Sequence, residues 1–508
     1  MSKICLCLSG KTLAQDLAIL DENRKYIDIA ELRVDCLDPD ERFLIRRFPE
    51  MAGLPVILSI RRIIDGGGFV GGEGSRIKLL ANGLAYADAN RRRNFAYVDL
   101  EDDLEVPSLE EAARTYGTRI IRSLHNQEGV DDDLAIKLRK LRRVGDELVK
   151  VTLKPQSLDE VIKVYRAGKE TLDIEKVIDC TGEYSVSTKI LAELLGSSIN
   201  YVYSEWNLGG ESVLDDPCKL SPREMVENYR FHNINRDTKI FAASGYPQEI
   251  SALAHFFNAI FAIEQINAVY VPVPAYSVHS LMRLADLIGI SGISITAPLN
   301  EEILPYLNNI SNEVHITGSC NTLVSYSHGW MGYNTDAAGF SESFLDFYGK
   351  KDMRGRKVTI IGAGRCARAI AAEVYRLKGK ALILNRTSLN ARRLAEPYKF
   401  AWGGLDSRGA DILEKYSDII IQASSAGMFP DVDIDPIDFY EFSGKETVID
   451  LIYRPLKTLF LKRAEDAGCR TMNGYDMLHR QARSQYMHFM KREFPPSLIS
   501  RVSFREQL

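Results

Sequence analysis

The sequence predicts an α/β protein whose first half is a (β/α)8 barrel and whose second half contains a Rossmann domain. Over the first 220 residues, eight short β-rich runs alternate with polar or amphipathic segments of helix length, which is the pattern of repeated βα units. An open doubly wound sheet has the same alternation, and periodicity alone does not separate it from a barrel. The eight runs are residues 4–8, 29–37, 55–61, 95–101, 119–125, 148–153, 175–182 and 199–204.

Length and composition indicate a globular protein of several domains. The chain has 508 residues, which at about 100 to 200 residues per domain predicts roughly three domains. Hydrophobic residues make up 45% and charged residues 26%, and 64 basic against 69 acidic side chains give a net charge of -5. Because no bulk positive field is available to hold nucleic acid or an anionic membrane, we expect small-molecule substrates.

The cysteines and the apolar runs indicate in which cellular compartment the protein is expected. Eight cysteines are spread along the chain without a C-x-x-C pair or a Cys/His cluster with zinc-ligand spacing, so the sequence predicts reduced thiols and no metal site. The longest apolar runs fall short of the roughly 18 residues needed to span a bilayer, and the N-terminus has no complete signal-like apolar segment. We therefore expect a cytoplasmic protein without membrane contact. The sequence leaves its oligomeric state open.

A glycine-rich turn between a strand and a helix marks the Rossmann domain. The segment KVTIIGAGRCARAIAAEV places Gly362, Gly364 and Ala367 directly after an apolar strand. Gly362 permits a tight turn, Gly364 lets the backbone approach a pyrophosphate, and the small Ala367 allows close helix packing. This context predicts a dinucleotide site.

The end of the next strand indicates which dinucleotide binds. The segment KALILNRT ends in Asn385, Arg386 and Thr387, where an acidic residue would otherwise bind a ribose 2′-hydroxyl. An arginine at this position pairs with a 2′-phosphate. The sequence therefore favours NADP over NAD.

Charged side chains inside the predicted barrel strands indicate a second site. Lys150 lies within the apolar strand LVKVTL, and burial is expected to lower its pKa and leave a neutral amine that can attack a ketone. His125 ends the preceding strand, so it is a candidate general acid and base beside Lys150. Glu31, Arg33 and Asp35 alternate along one strand and share one face, where unpaired charges would be costly.

The first half carries four longer motifs: ELRVD (31–35), ILSIRRIIDGG (57–67), IIRSLH (120–125) and LVKVTLKPQS (148–157). With this set, the first half resembles type I 3-dehydroquinate dehydratase. The resemblance implies that Lys150 forms an imine with the ketone of 3-dehydroquinate, that His125 moves the protons, and that Asp65 orients His125. It implies that the polyol and carboxylate of the substrate are bound by Glu31, Arg33, Arg61, Lys189 and Lys219.

The second half carries seven motifs in order: GSCNTLV (318–324), GYNTDAAGF (332–340), GAGRCARA (362–369), NRT (385–387), SSAGM (424–428), DLIYRPLKT (450–458) and GYDMLHRQ (474–481). With these motifs the second half resembles shikimate dehydrogenase. The resemblance implies a catalytic aspartate at Asp336, and shikimate contacts at Ser251, Thr296, Asn321, Tyr453 and Gln481. It implies cofactor contacts at Gly362, Ala363, Gly364, Asn385, Arg386, Thr387 and Gly474.

The chain departs from the two family patterns at four places. Lys189 stands where the dehydratase family has an arginine, and Asp216, Pro217, Cys218 and Lys219 replace its final Ala-Pro-Gly-Gln loop. In the dehydrogenase half, Leu253 replaces one of two carboxylate-binding serines, and Asn300 replaces the catalytic lysine. Lysine cannot reproduce the two-pronged clamp of arginine, and asparagine has no proton to exchange near neutral pH.

Together the two resemblances imply a bifunctional enzyme that dehydrates 3-dehydroquinate and reduces 3-dehydroshikimate to shikimate with NADPH. Leu253 and Asn300 leave two alternatives open, a dehydrogenase half that binds nucleotide without catalysis, or one that acts on a related ligand such as quinate. The implied domains are a barrel over 1–222, a substrate-binding domain over 238–340 completed by 474–508, and an NADP-binding Rossmann domain over 341–473.

Overall fold

The computed structural model describes residues 2–85, 88–204, 220–245, 252–502 and 504. The described residues group into two compact units. One unit holds the residues up to Ala242 together with Phe261–Ile290, and the other holds Ala243–Gly245, 252–260 and the residues from Ser291 onward.

Eight parallel strands form the first sheet, and each corresponds to one of the eight predicted runs. Their order is β7-β6-β5-β4-β3-β2-β1-β8, so neighbours in sequence are neighbours in the sheet and β1 pairs with β8. A parallel bridge between Lys176 and Ser197 brings the two edges together. The (β/α)8 prediction is confirmed as a nearly closed barrel. The strands are β1 Lys3–Leu8, β2 Ile29–Arg33, β3 Val56–Ser59, β4 Tyr97–Glu101, β5 Arg119–Asn126, β6 Leu148–Leu153, β7 Lys176–Cys180 and β8 Ile199–Tyr203.

The barrel interior has an apolar layer below a polar one. Since successive side chains on a strand point to opposite faces, every second residue faces the interior. The apolar layer is closed by Cys5, Ile29, Ile57, Ile121, Leu148, Val177, Ile199 and Tyr201. The next inward positions toward the carboxyl ends carry Glu31, Asp99, Lys150 and Asp179, so the charged residues gather where barrels of this kind hold their active sites.

The second sheet has six strands in the order β10-β9-β11-β13-β14-β12. The pairs β11–β13 and β13–β14 are antiparallel, whereas β12 runs parallel to β14. This mixed sheet carries the GSCNTLV and GYNTDAAGF motifs. Its strands are β9 Lys239–Gly245, β10 Ala268–Pro274, β11 Ile290–Ile295, β12 Asn309–Ile310, β13 Thr322–Tyr326 and β14 Gly329–Tyr333.

The third sheet confirms the predicted Rossmann domain. Its order is β17-β16-β15-β18-β19-β20 with all pairs parallel, which is the doubly wound arrangement that reverses beside the first strand. The glycine-rich turn follows β15 at this reversal. The strands are β15 Lys357–Ile361, β16 Lys380–Asn385, β17 Ala401–Gly404, β18 Ile419–Gln422, β19 Thr447–Asp450 and β20 Arg470–Met472.

Helices connect most of the parallel strands. Several begin at a hydroxyl side chain that accepts a hydrogen bond from the first turn: Thr12, Ser157, Ser221, Ser277 and Thr458. In the first half the helices are Leu13–Asn23, Phe48–Ala52, Glu73–Leu84, Pro107–Thr115, Leu134–Leu141, Leu158–Glu170, Val186–Ile190, Ala192–Leu195 and Pro222–Glu227. In the second half they are Ala252–Ile263, Val278–Ile288, Leu299–Glu302, Asn312–Thr317, Asp336–Tyr348, Arg365–Arg376, Ser388–Ala395, Ser407–Leu413, Leu459–Asp466 and Tyr475–Met490. Across the described residues, none of the helices combines the length and the apolar character that crossing a membrane requires.

Candidate active sites

Lys150 is fixed in the barrel interior by two carboxylates. Its Nζ donates to Asp99 Oδ2 at 2.9 Å and to Glu31 Oε1 at 3.3 Å, and the Tyr201 ring centroid lies 4.2 Å away. The lysine is completely buried. Asp99 lies on β4 and Glu31 on β2, so strands on one side of β6 position the amine.

The charge of Lys150 differs from the sequence-based expectation. Burial by itself lowers the pKa of Lys150, but Asp99 and Glu31 outweigh burial and raise that pKa above its ordinary value. The same attraction holds the pKa of Asp99 and of Glu31 below their usual ranges in spite of burial. The predicted neutral amine is therefore wrong for the resting protein, because flanking valines describe desolvation and not the carboxylates across the barrel.

His125 faces the barrel interior one layer closer to the carboxyl ends of the strands than Lys150 does. Ser123 on β5 is the register partner of Lys150, and His125 follows two residues later on the same face. Burial, and next the positive charge of Arg61, lower the pKa of His125 well below its ordinary value. Its buried Nδ1 has no hydrogen-bond partner. A neutral imidazole with an open nitrogen is suited to accept a proton.

Asp65 bonds to Arg62, and no hydrogen bond joins it to His125. Its Oδ2 accepts from Arg62 Nε at 2.6 Å, and Arg62 also donates to both carboxylate oxygens of Asp103 at 2.9 and 2.8 Å. The orienting role implied for Asp65 therefore corresponds to no observed bond. Arg62 stands three residues before Asp65 in a tight turn, and this local partner occupies the carboxylate.

The residues of the ELRVD motif form a buried ion cluster. Arg33 donates from Nε to Asp35 Oδ1 at 3.0 Å and from Nη2 to Asp35 Oδ2 at 2.7 Å. Burial raises the pKa of Asp35, but Arg33 and two backbone donors lower it to about 2. Glu31 faces Lys150 and lies 3.8 Å from Arg61 Nη2. Arg33 thus supports the site through Asp35, while Glu31 and Arg61 face its centre.

Lys189, implied to bind the substrate carboxylate, has a buried partner of its own. Its Nζ donates to Asp179 Oδ1 at 2.8 Å and to the Tyr201 carbonyl at 3.2 Å, and the residue is 2% exposed. Lys219 lies outside the described residues.

Sequence reasoning missed Asp99 and Asp179. Each is an acidic residue within an otherwise apolar strand, in YVDLE and KVIDC, which is the same signal that singled out ELRVD. Glu101, two residues after Asp99, accepts from Arg76 Nη1 at 2.6 Å. Acidic residues within these apolar strands could therefore have identified Asp99 and Asp179 as site residues from the sequence.

In the dehydrogenase half, Asp336 is the first residue of the helix Asp336–Tyr348. Its Oδ1 accepts from Asn321 Nδ2 at 2.7 Å, and Asn321 Oδ1 in turn accepts from the Thr335 amide at 3.0 Å and from Thr322 Oγ1 at 2.8 Å. Burial raises the pKa of Asp336, while the Asn321 bond and the charge of Arg365 lower it, and the net direction is upward. Asn321 thus holds the buried Asp336 carboxyl group in a fixed position.

Asn300 bonds to the backbone and makes no hydrogen bond to Asp336. Its Nδ2 donates to the Ile295 carbonyl at 2.9 Å and to the Cys320 carbonyl at 3.1 Å, and its buried Oδ1 has no partner. Cys320 directly precedes Asn321. Asn300 therefore supports the segment that carries the partner of Asp336.

The structure places three of the other implied shikimate contacts as follows. The Thr296 amide donates to the Ser244 carbonyl at 2.8 Å, and Gly245, with φ of 156°, leaves room for the Thr296 hydroxyl, which a β-carbon would meet at 2.0 Å. Gln481 lies on the helix Tyr475–Met490, where its β-carbon packs against Gly339. Tyr453 is 38% exposed. Ser251 lies outside the described residues.

Gln485, one turn beyond Gln481, is a supporting residue that sequence reasoning missed. It is buried, its Oε1 accepts from Ser294 Oγ at 2.9 Å, and its Nε2 donates to Thr322 Oγ1 at 3.1 Å and to the Asn321 carbonyl at 3.4 Å. It thereby connects the C-terminal helix to the strand that follows Asn321. Because residues four apart lie on the same face of a helix, the position of Gln485 relative to Gln481 was the signal in the sequence that could have identified it.

The glycine-rich turn has the shape of a dinucleotide site. Gly362 has φ of 111°, and a β-carbon there would approach the Ala423 carbonyl to 2.9 Å. Ala363 packs partly against the Rossmann core, and Gly364 precedes the helix Arg365–Arg376 and faces space without an atom within 4 Å of an added β-carbon. An anion can therefore approach the helix N-terminus closely.

The remaining implied cofactor contacts lie at the carboxyl ends of β16 and β20, which are on opposite sides of β15 in the sheet. Asn385 ends β16 and donates from Nδ2 to the Thr387 carbonyl at 3.1 Å, while Arg386 between them is exposed. The Gly474 amide donates to the Ile452 carbonyl at 3.0 Å, and a β-carbon at Gly474 would clash with the Leu451 carbonyl at 2.0 Å. These features fit a bound nucleotide with a 2′-phosphate near Arg386.

Comparisons with known proteins agree with both halves of this description. The family model for type I 3-dehydroquinase matches residues 4–236, and that for the shikimate dehydrogenase substrate binding domain matches residues 244–323. A shikimate dehydrogenase (NADP(+)) of Caldanaerobacter subterraneus subsp. tengcongensis is 33% identical over 255 residues, which cover 49% of this chain and 90% of that relative.

Two further relatives extend the comparison. The chloroplastic bifunctional 3-dehydroquinate dehydratase/shikimate dehydrogenase of Arabidopsis thaliana is 24% identical over 498 residues, which cover 94% of this chain and 79% of that relative. The crystal structure of a shikimate dehydrogenase in complex with NADP+ has 29% identity and a TM-score of 0.49, covering 54% of this chain and 97% of that one.

The fold is that of an α/β enzyme with two candidate sites, one at a barrel lysine held between carboxylates and one at a Rossmann sheet with an open glycine-rich turn. The chain belongs to the shikimate dehydrogenase family over its second half. Its first half is similar to type I 3-dehydroquinase over residues 4–236.

Proposed function

We propose that this chain dehydrates 3-dehydroquinate to 3-dehydroshikimate in its barrel and reduces the product to shikimate with NADPH in its second half. The observation that carries the proposal is the placement of Lys150, buried between Asp99 and Glu31, one layer below a neutral His125. An amine with an adjacent proton acceptor and a neighbouring imidazole is the apparatus that imine-based elimination needs.

Dehydration would begin with attack of the Lys150 amine on the substrate ketone. Asp99, the closest carboxylate to the ammonium, accepts the proton that Lys150 must lose and returns it to the ketone oxygen, which leaves as water when the protonated C=N bond forms. His125 then removes a proton from the adjacent carbon, and the electron pair moves to the imine nitrogen. The enamine expels the hydroxyl on the next carbon, His125 returns the proton to it, and water hydrolyses the imine to free Lys150.

Reduction would use the second site. NADPH, when bound, supplies a hydride for the ring carbonyl. The open turn at Gly364 would hold the pyrophosphate, and the exposed Arg386 would pair with the 2′-phosphate. Asp336, whose pKa is raised by burial, exchanges the proton at the carbonyl oxygen, and Asn321 keeps its carboxyl group in place.

A second candidate for this half is nucleotide binding with little turnover. Asn300 favours it, because its amide is committed to two backbone carbonyls and cannot exchange a proton. Separate assays on the purified chain distinguish the two, one for loss of 3-dehydroquinate and one for NADP(H)-linked turnover of shikimate. Shikimate turnover of ordinary efficiency supports the bifunctional enzyme, and nucleotide binding without turnover supports the second candidate.

We also propose domain limits at 1–222, 238–340 with 474–508, and 341–473. In support, β1–β8, β9–β14 and β15–β20 each lie within one of these ranges, and the helix Tyr475–Met490 packs against Asp336–Tyr348. A cytoplasmic location is proposed as well; its support is that the described cysteines are free thiols.

A further inference from the structure

The cations near the catalytic lysine differ in how fully they are paired. Arg33, Lys150 and Lys189 each have a carboxylate oxygen within hydrogen-bond distance, at 2.7, 2.9 and 2.8 Å respectively. Such pairs neutralise the charge that a substrate anion would need. Arg61 is different, because its nearest carboxylate, Glu31, is 3.8 Å away and already bonded to Lys150.

The guanidinium of Arg61 has unused donors in a buried position. The residue is 9% exposed, its Nε is buried without a hydrogen-bond partner, and its backbone amide is held by Asp35 Oδ1 at 3.2 Å. A buried guanidinium that makes no close bond costs free energy in the resting protein unless a ligand completes it. Its planar fork matches both oxygens of a carboxylate.

Lys189 cannot offer the same contact. Asp179 on β7 and the Tyr201 carbonyl on β8 both accept from its Nζ, and the side chain is buried among them. An incoming carboxylate would have to displace Asp179 and leave that carboxylate buried without its cation. Arg61 gains a partner on binding, whereas Lys189 would only exchange one.

The chemistry of the substrate also favours the position of Arg61. In 3-dehydroquinate the carboxylate and the departing hydroxyl are attached to the same carbon. His125 must reach that hydroxyl, so the carboxylate group must lie near His125. Of the charged neighbours of His125, Arg61 lowers the pKa of the imidazole most, ahead of Lys150 and Arg33, which indicates that Arg61 is close to this part of the site.

We propose that Arg61, and not Lys189, binds the substrate carboxylate in this barrel, and that Lys189 with Asp179 is a buried structural pair that fixes β7 beside β8. The inference rests on the proposed dehydratase function. It reverses the assignment that the family resemblance implies for Lys189.

The experiment compares two ligands that form the same imine. One is 3-dehydroshikimate, and the other is 5,6-dihydroxycyclohex-2-enone, the same ring without the carboxylate. Borohydride traps either ligand on Lys150, and mass spectrometry of the peptide that contains Lys150 gives the half-saturating concentration at the barrel site alone. The ratio of the two half-saturating concentrations measures how much the carboxylate contributes to binding. A general loss of structure weakens the binding of both ligands and leaves this ratio unchanged.

The full-length chain is tested with four variants. Arg61→Met should reduce the preference for the carboxylate ligand by about 10- to 100-fold, the worth of a two-pronged charge-assisted contact, and Arg61→Lys should reduce it by less. The double variant Lys189→Met/Asp179→Leu should keep the preference of the unmutated chain. Arg139→Met removes an exposed arginine that pairs with Asp173 and serves as the matched control.

Three results would overturn the assignment of Arg61 or the proposed imine function. Loss of the preference in the Lys189→Met/Asp179→Leu variant, with retention in Arg61→Met, overturns the inference and restores Lys189 as the anion contact. If Arg61→Met does not fold, an unchanged preference in Arg61→Lys overturns it as well. If the unmutated chain forms no adduct with either ligand, the imine function itself fails, and that result is distinct from an adduct whose carboxylate preference ignores Arg61.

Discussion

Replacing Asp99 with asparagine tests how the barrel handles the proton of Lys150. The amide would keep the shape of the side chain and remove its charge, so Glu31 at 3.3 Å would remain as the carboxylate partner. The matched variant is Glu31→Gln, which removes the more distant carboxylate and leaves Asp99 at 2.9 Å. Both variants retain Lys150 and His125.

The distances set the size of the effect. At an effective dielectric constant of about 20, opposite charges separated by these distances attract with about 6 kcal/mol for Asp99 and about 5 kcal/mol for Glu31. Burial of the ions offsets most of this attraction, and losing one partner of a buried pair costs about 3 to 5 kcal/mol of folding stability when nothing replaces it. Since a second carboxylate remains in each variant, we expect a loss near the lower end of that range.

The kinetic effect should be larger for Asp99→Asn. If Asp99 accepts the proton, imine formation should slow by about 10² to 10⁴, the usual contribution of a positioned base. Without Asp99, one of the two carboxylates that raise the pKa of Lys150 is lost and that pKa falls, so the remaining rate should level off at lower pH than in the unmutated chain. Rates of borohydride-trapped adduct formation across the neutral and alkaline pH range measure both effects, and urea unfolding measures stability. Adduct rates within about threefold of the unmutated chain, with the same pH profile, would refute the role of Asp99.

Three further predictions concern single residues. Lys150→Met should abolish dehydration and borohydride trapping while NADPH binding to the second half continues; normal dehydratase activity would contradict the imine mechanism. NADPH should bind more tightly than NADH, and Arg386→Ala should reduce that preference by about 1.5 to 3 kcal/mol in a calorimetric titration, whereas equal affinities in the unmutated chain would remove the basis for the cofactor assignment. Reduction should be slower than dehydration by about 10² to 10⁴ unless Asp336 alone suffices, and Asn300→Lys should increase shikimate oxidation even though it breaks two backbone bonds worth about 1 kcal/mol each. Rapid oxidation by the unmutated chain, with no gain from Asn300→Lys, would show that Asp336 and its surroundings are sufficient.

Local sequence was enough to predict the elements of this protein. The eight barrel strands were predicted because apolar runs of strand length alternate with helical segments, and all eight occur within a few residues of their expected limits. The turn at Gly362 and Gly364 was predicted because it requires residues without side chains at these positions, and the residue types alone show that this requirement is met. Strand identity and turn chemistry depend on neighbours in sequence.

The partners of Lys150 and Lys189 were decided by tertiary structure. Lys150 is 51 residues from Asp99 and 119 from Glu31 in sequence, yet these two carboxylates reverse the direction in which burial moves its pKa. Desolvation could be read from the valines that flank Lys150, whereas an electrostatic interaction depends on distance through space, which the closure of the barrel fixes. For the same reason the sequence placed Lys189 at the substrate, and only the fold placed Asp179 against it and left Arg61 with its donors open.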